Sequence, residues 1–125
     1  MVSNPLFWME TQFLSERCRA KLKKIMPIWR EYREAFAKGD VSPIGEEPTG
    51  MSMTGFSVDL GGECHLILFR EATDKKSAAY TLPSEIDSVE LLSANTTAEH
   101  SVDGNHLTVT FGKKRSYVWL KVKLK

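Results

Sequence analysis

The chain has 125 residues, of which 42% are hydrophobic and 26% charged, and a formal net charge of +1. This is the size of one domain, or one domain with an appendage, and it is long enough to bury a core without metals or disulfides. So small a net charge argues against nucleic acid or a membrane surface as partner, and no apolar run approaches the roughly eighteen residues of a membrane span.

The charge is unevenly spread: residues 1–40 carry a net +3, residues 41–104 a net −8 and residues 105–125 a net +6. An acidic middle and a basic tail neutralise each other if they fold into one sheet, and aromatic residues are not interleaved with basic ones as in single-strand binders. Cys18 and Cys64 form no CxxC pair and no disulfide framework; both are expected as small buried hydrophobes. The N-terminal MVSNPLFWMETQ has no basic stretch followed by an apolar one, so it does not read as a signal peptide. If Met1 is a true start, the expectation is a cytoplasmic protein; MVSNPLFW also reads well as a mid-protein stretch.

In chain order, Asn4-Pro5 opens a short helical turn carrying Leu6, Phe7, Trp8 and Met9. Leu14, Cys18, Leu22, Ile25, Trp29, Tyr32 and Phe36 follow at steps of three and four, one continuous stripe of an amphipathic helix over 15–37. Ser15 is placed to cap it, Glu16 sits in its first turn, and Gly39 is a stop. Pro27 predicts a kink, or two short helices meeting near Met26. The stretch PIGEEPTGMSMTGF (43–56) is a Pro/Gly-rich junction, and its composition shapes a fixed path more than it supplies slack.

Beyond the junction, β-forming runs alternate with turn clusters, predicting strands near 52–58, 63–70, 77–82, 87–93, 97–102, 105–111 and 116–124. Asp103-Gly104 signals a two-residue hairpin of type I′. CHLILF (64–69) is apolar at both alternating sets, so it reads as a central strand covered on both sides. In SYVWLKVKLK, Val118, Leu120, Val122 and Leu124 define a dry face, with Tyr117, Trp119, Lys121 and Lys123 on a wetter one. The expected fold is mainly β, an antiparallel two-sheet sandwich of about seven strands preceded by a kinked amphipathic helix. The expected division is a helical segment at 1–39, the junction at 40–56 and the β domain at 57–125.

Few residues suggest chemistry. Glu46-Glu47 are turn neighbours without the apolar surroundings that raise a carboxyl pKa. His65, His100 and His106 are scattered, without ligand partners at metal-binding spacing. Arg70-Glu71 reads as a structural ion pair at a strand end. No nucleophile elbow or phosphate loop is present. No cofactor and no metal is expected.

The ordered set NPLFWMETQFLSE, IWREYREAFAKGDVSPIGEEPTGMSMTGF and HLILFRE resembles the C-terminal end of melibiase-type glycoside hydrolases, the α-galactosidases and their relatives, especially the family thirty-six group. Pro43, Ile44, Gly45, Pro48, Gly50, Thr54, Gly55 and Phe56 match that family's segment between the last barrel helix and the C-terminal β domain. Phe69-Arg70-Glu71 match its strand ending in F-R-E. The resemblance covers roughly residues 4–71; beyond 75 only the sandwich character remains.

It implies that 1–39 corresponds to the last helix of a (β/α)₈ barrel and that the rest is a non-catalytic accessory domain. Retaining glycosidases use two carboxyl groups about 5–5.5 Å apart, and a barrel that carries them takes about 250 residues. This chain is too short to hold one, so it is expected to be no enzyme by itself, whatever a longer glycoside hydrolase parent does. Its partner would be the missing barrel, met by candidate interface residues Trp8, Trp29, Tyr32, Phe36 and Phe56, and an exposed helical stripe leaves a homodimer open. The alternative is a free-standing carbohydrate-binding or protein-interaction sandwich, with Tyr117 and Trp119 as the residues to stack on a sugar.

Overall fold

The computed structural model describes residues 13–125, so the turn expected at Asn4-Pro5 and the interface role expected of Trp8 lie outside the described residues. The stripe with three- and four-residue steps forms helix α1, Glu16–Phe36. The Ser15 hydroxyl accepts the Cys18 amide at 3.3 Å, so the cap falls where the sequence places it. Pro27 lies inside α1 without splitting it in two. It is exposed, so its ring displaces no packed neighbour, while the helix forgoes the hydrogen bond that a proline nitrogen cannot donate to the preceding turn. Gly39 does follow the helix, but its φ is not positive. Glycine is required because a Cβ there would lie 2.8 Å from the Asp59 carbonyl oxygen.

Eight strands follow: β1 Asp40–Gly45, β2 Met53–Asp59, β3 Glu63–Arg70, β4 Ser77–Thr81, β5 Ile86–Ala94, β6 Ala98–Asp103, β7 His106–Phe111 and β8 Ser116–Leu124. All their pairings are antiparallel, in a five-stranded sheet ordered β1-β2-β3-β8-β5 and a three-stranded sheet ordered β4-β7-β6. The mainly-β sandwich with one N-terminal helix is thus observed, with one strand more than expected. The extra strand, β1, is DVSPIG, inside the predicted junction, where Pro43 and Gly45 disguise it. The Glu46 amide bonds the Met53 carbonyl, so the paired positions of β1 are the even-numbered ones and Pro43 faces away from β2. A proline is tolerated there because β1 is an edge.

The junction is a bonded hairpin. Glu46 accepts the Met53 amide at 2.8 Å, and Glu71 accepts both the amide and the hydroxyl of Ser52, at 2.9 and 2.6 Å. The amides of Glu71 and Ala72 donate to the carbonyls of Ser52 and Gly50. Gly45 and Gly50 adopt φ of 88° and 86°, so the glycines make the turns that the bonds then hold.

The β6–β7 hairpin turns on Gly104-Asn105, one residue later than read from the sequence, since Asp103 pairs with His106. Gly104 has φ of 61° and Asn105 has no positive φ, the signature of a type II′ turn with glycine first and not of type I′. Between the sheets, Leu66, Leu68, Val118, Leu120 and Val122 pack against Tyr80, Leu107, Val109 and Phe111. The alternation in β8 does direct its valine–leucine set into this core, and β3 is central and covered on both faces. The basic tail does meet the acidic middle: Lys121 pairs with Glu63, Lys125 with Glu85 and Lys114 with Asp74.

Candidate interaction surface

The outer face of the five-stranded sheet, with helix α1 packed on it, gathers the sequence-predicted site residues among those described: Phe56, Tyr117 and Trp119 on strands and Trp29, Tyr32 and Phe36 on the helix. Strand register arranges it in three rungs. The lowest is Val58, His65 and Lys121; the middle is Phe56, Ile67 and Trp119; the highest is Thr54, Phe69 and Tyr117. Helix α1 lies over the lower two. Its Trp29 and Phe36 are buried with Val58, Ile67 and Trp119, and Ile25, Met26, Ile28 and Tyr32 pack at the margin. The first turns of α1 do not join this cluster: Leu14 and Leu22 are half-buried and Cys18 is exposed, so the stripe is covered only from Ile25 onward. Cys18 is therefore not the buried hydrophobe expected, whereas Cys64 is, its thiol pushed up to about 11 chiefly by burial.

Trp119, a sugar platform only in the alternative reading, has no exposed surface. Its neighbours on the alternating face are lysines, which reads as a wet face, but the aromatic residues of α1 close over the ring. The indole Nε1–H donates to His65 Nδ1 at 3.1 Å. Since an indole can only donate, Nδ1 must accept, so the His65 proton is on Nε2 and is donated to Glu63 Oε1 at 3.1 Å. Lys121 bridges onward, 3.2 Å from Glu63 Oε2 and donating to the Tyr32 hydroxyl at 3.3 Å.

This chain of bonds ties α1 to β3 and β8, with the Tyr32 ring 4.4 Å and the Phe36 ring 4.9 Å from the His65 ring, centroid to centroid. Burial lowers the His65 pKa, opposed by Glu63. Burial alone would raise Glu63, but the bonds from Lys121 and His65 outweigh it and hold the carboxyl below its ordinary range. His65 was not singled out as a site residue by its sequence neighbours. Glu63 and Trp119 become its partners only once the cross-strand register is known.

The upper rung is half-covered, with Phe69 packed against the helix cluster. Phe56, Phe69 and Tyr117, with Pro48, Glu71 and Arg115, line a cleft of about 590 Å³ beside the helix. Phe56 is 42% exposed, and Tyr117 is held by a 3.0 Å bond between its hydroxyl and that of Ser93. The candidate interface residues thus divide: Trp29 and Phe36 are used up inside the chain, Tyr32 is half-buried, and Phe56 still faces outward.

Glu46 is held below its ordinary pKa by Lys75 first and the Met53 amide second, which keeps it ionised, and Glu47 is exposed. Arg70 and Glu71 do not form the expected ion pair. The buried Arg70 guanidinium donates to the carbonyls of Phe111, Thr73 and Asp74, closing one end of the sandwich, while Glu71 is engaged with Ser52. Among the described residues, no three of His, Cys, Asp and Glu are grouped to hold a metal ion. No known family model, curated protein or solved structure matches this chain.

Proposed function

We propose that the chain is a non-catalytic accessory β domain of an α-galactosidase-like glycoside hydrolase, serving to pack against a catalytic barrel. The reading rests on the ordered motifs from Pro43 to Phe56 and from Phe69 to Glu71, and one structural observation carries it furthest. Phe56, the last residue of the junction motif, presents its ring to an open apolar cleft together with Phe69 of the F-R-E motif. An exposed aromatic ring beside a cleft offers a neighbouring domain something to bury, and here both motifs of the resemblance supply it. Of the other motif residues, Gly45, Gly50 and Glu71 fix the hairpin that holds Phe56 in place.

The purified chain is expected to show no turnover of an aryl α-galactoside above a heat-killed control. The reading frame upstream of codon 1 is expected to continue, in frame and without a stop, through several hundred codons of a barrel. An in-frame stop directly upstream, or genuine turnover by the isolated chain, would sink the proposal. The three aromatic rings in the same cleft favour carbohydrate binding as the second reading, with Tyr117 as the platform that Trp119 does not provide. Glycan-array binding that Tyr117→Ala abolishes would select it.

A further inference from the structure

A second cleft, of about 870 Å³, lies between β1 and β4, the edge strands of different sheets, on the side of the sandwich away from β5 and β6. The bonds at the two ends of β4, Phe111 amide to Lys76 carbonyl and Leu82 amide to Asn105 carbonyl, set the phase of its pairing with β7. Ala78 and Tyr80 therefore spend their main-chain groups on β7, and Ser77, Ala79 and Thr81 turn theirs toward the cleft.

Edge strands are commonly blunted by proline, charge or a bulge. Across the cleft β1 has Pro43, whereas β4 reads Ser-Ala-Ala-Tyr-Thr and pairs with β7 without a break in register. The hydroxyls of Ser77 and Thr81 bond Thr110 and His106 of β7, which keeps both side chains off the free edge. Tyr80 points inward and is 2% exposed, with its ring against Gly45, yet its hydroxyl has no hydrogen-bond partner among the described residues. A buried hydroxyl without a partner is costly, and such groups call for one. Burial first, and then the charge of Glu46, push its pKa up to about 12, so it remains a donor at neutral pH.

We propose that this cleft receives an extended peptide segment, which adds to the three-stranded sheet as a fourth strand along β4. One of its apolar side chains would lie inward over Ile44, Met53 and Ala78, and an acceptor on it would take the Tyr80 hydroxyl. Main-chain bonds to Ser77, Ala79 and Thr81 supply the affinity in this mode, and the alternate inward side chains supply the selectivity. The inference goes beyond the glycosidase reading and does not rest on it.

The test uses the full chain, with amide resonances followed by NMR, and a panel of synthetic seven-residue peptides with valine or leucine at alternate positions and threonine, serine or glutamine between. Members of the panel are expected to shift the Ser77, Ala79 and Thr81 amides and slow their hydrogen exchange about tenfold. Ala79→Pro removes an amide that β7 does not use, a permitted place for proline on an edge, so the melting temperature is expected to hold while peptide binding is lost. Tyr80→Phe keeps the packing and is expected to weaken binding about five- to tenfold, with thermal stability unchanged or raised. If the proline variant does not fold, Tyr80→Phe decides alone. The proposal is overturned if no peptide of the panel binds, if binding shifts other amides, if Tyr80→Phe binds as wild type, or if the β4 amides respond only to protein concentration, which would assign the edge to a second copy of the chain.

Discussion

The two faces of the five-stranded sheet are buried by different means. On the inner face, leucines and valines of β3 and β8 meet those of β7, and the contact is mostly aliphatic, with Phe111 and Tyr80 as its aromatic members. On the outer face the cover is a single helix, and the contact is aromatic rings threaded by the chain Trp119–His65–Glu63–Lys121–Tyr32. An aliphatic core tolerates exchange of one hydrophobe for another when volume is kept. A buried hydrogen-bonded chain does not, because each donor must find its one acceptor. The inner face holds the sheets together, and the outer face sets where α1 lies.

The strongest way to break this comparison is Trp119→Ala. The ring is the largest fully buried side chain, it is central to the outer cluster, and its indole bonds His65. A loss of about 3–5 kcal/mol is expected from truncating it, measured by urea unfolding with fluorescence of the remaining tryptophans. A loss of under about 1 kcal/mol would mean that α1 does not cover this face in solution.

Next in size is His65→Leu, which leaves the Trp119 indole N–H buried without an acceptor and is expected to cost about 1–3 kcal/mol. Adding Trp119→Phe removes the stranded donor. The double variant is therefore expected to be more stable than the sum of the two single losses, because the second change no longer breaks a bond. Strict additivity would show that the indole–imidazole bond contributes nothing.

The same network gives a pH dependence on the acid side of neutrality, where Cys64 and Tyr80 of the inner core, both raised, stay neutral. Burial depresses the His65 pKa below its ordinary 6.5, so between the folded value and 6.5 the unfolded chain binds more protons. Stability from keeping the imidazole neutral is thus complete above about pH 6.5 and is lost as pH falls below it. Glu63, also depressed, adds a second loss as pH falls below 4.5. Urea midpoints measured from pH 8 to pH 4 should fall in the first window for the wild type and stay flat there for His65→Leu. Equal slopes would remove His65 as the cause, while the inner core would be unaffected either way.

How much of this was legible before the structure depended on the range of the signal. The inner face was legible because alternation is local: Val118, Leu120, Val122 and Leu124 announce themselves within seven residues. The helix was legible for the same reason, but not how far along it the cover would extend, because that depends on where the sheet ends. Strand β1 was hidden by Pro43, whose acceptability depends on being at an edge, which is a fact about topology. The outer network was hidden most completely. Trp119 looked half-wet beside two lysines, and His65 looked idle, because their partners lie 54 residues apart in the chain. Tyr80 lay within a predicted strand, but nothing local showed that its hydroxyl would be buried without a partner.

The smallest expected effect divides the outer face within itself. Phe56 shares the middle rung with Ile67 and Trp119 but faces the open cleft, and it is 42% exposed. Phe56→Ser should change stability by about 1 kcal/mol or less, the cost of a partly covered strand aromatic, although its rung neighbour Trp119 is worth several times that. The size is informative. A loss well above 1 kcal/mol at dilute protein would mean that the cleft is closed by the chain itself, and the accessory-domain reading would lose the surface it depends on. The same loss seen only at high concentration would mean that a second copy closes it, which light scattering across a dilution series separates from the first case. A neutral result leaves the ring free for a neighbouring domain, and in a full-length parent enzyme the same substitution should then become destabilising.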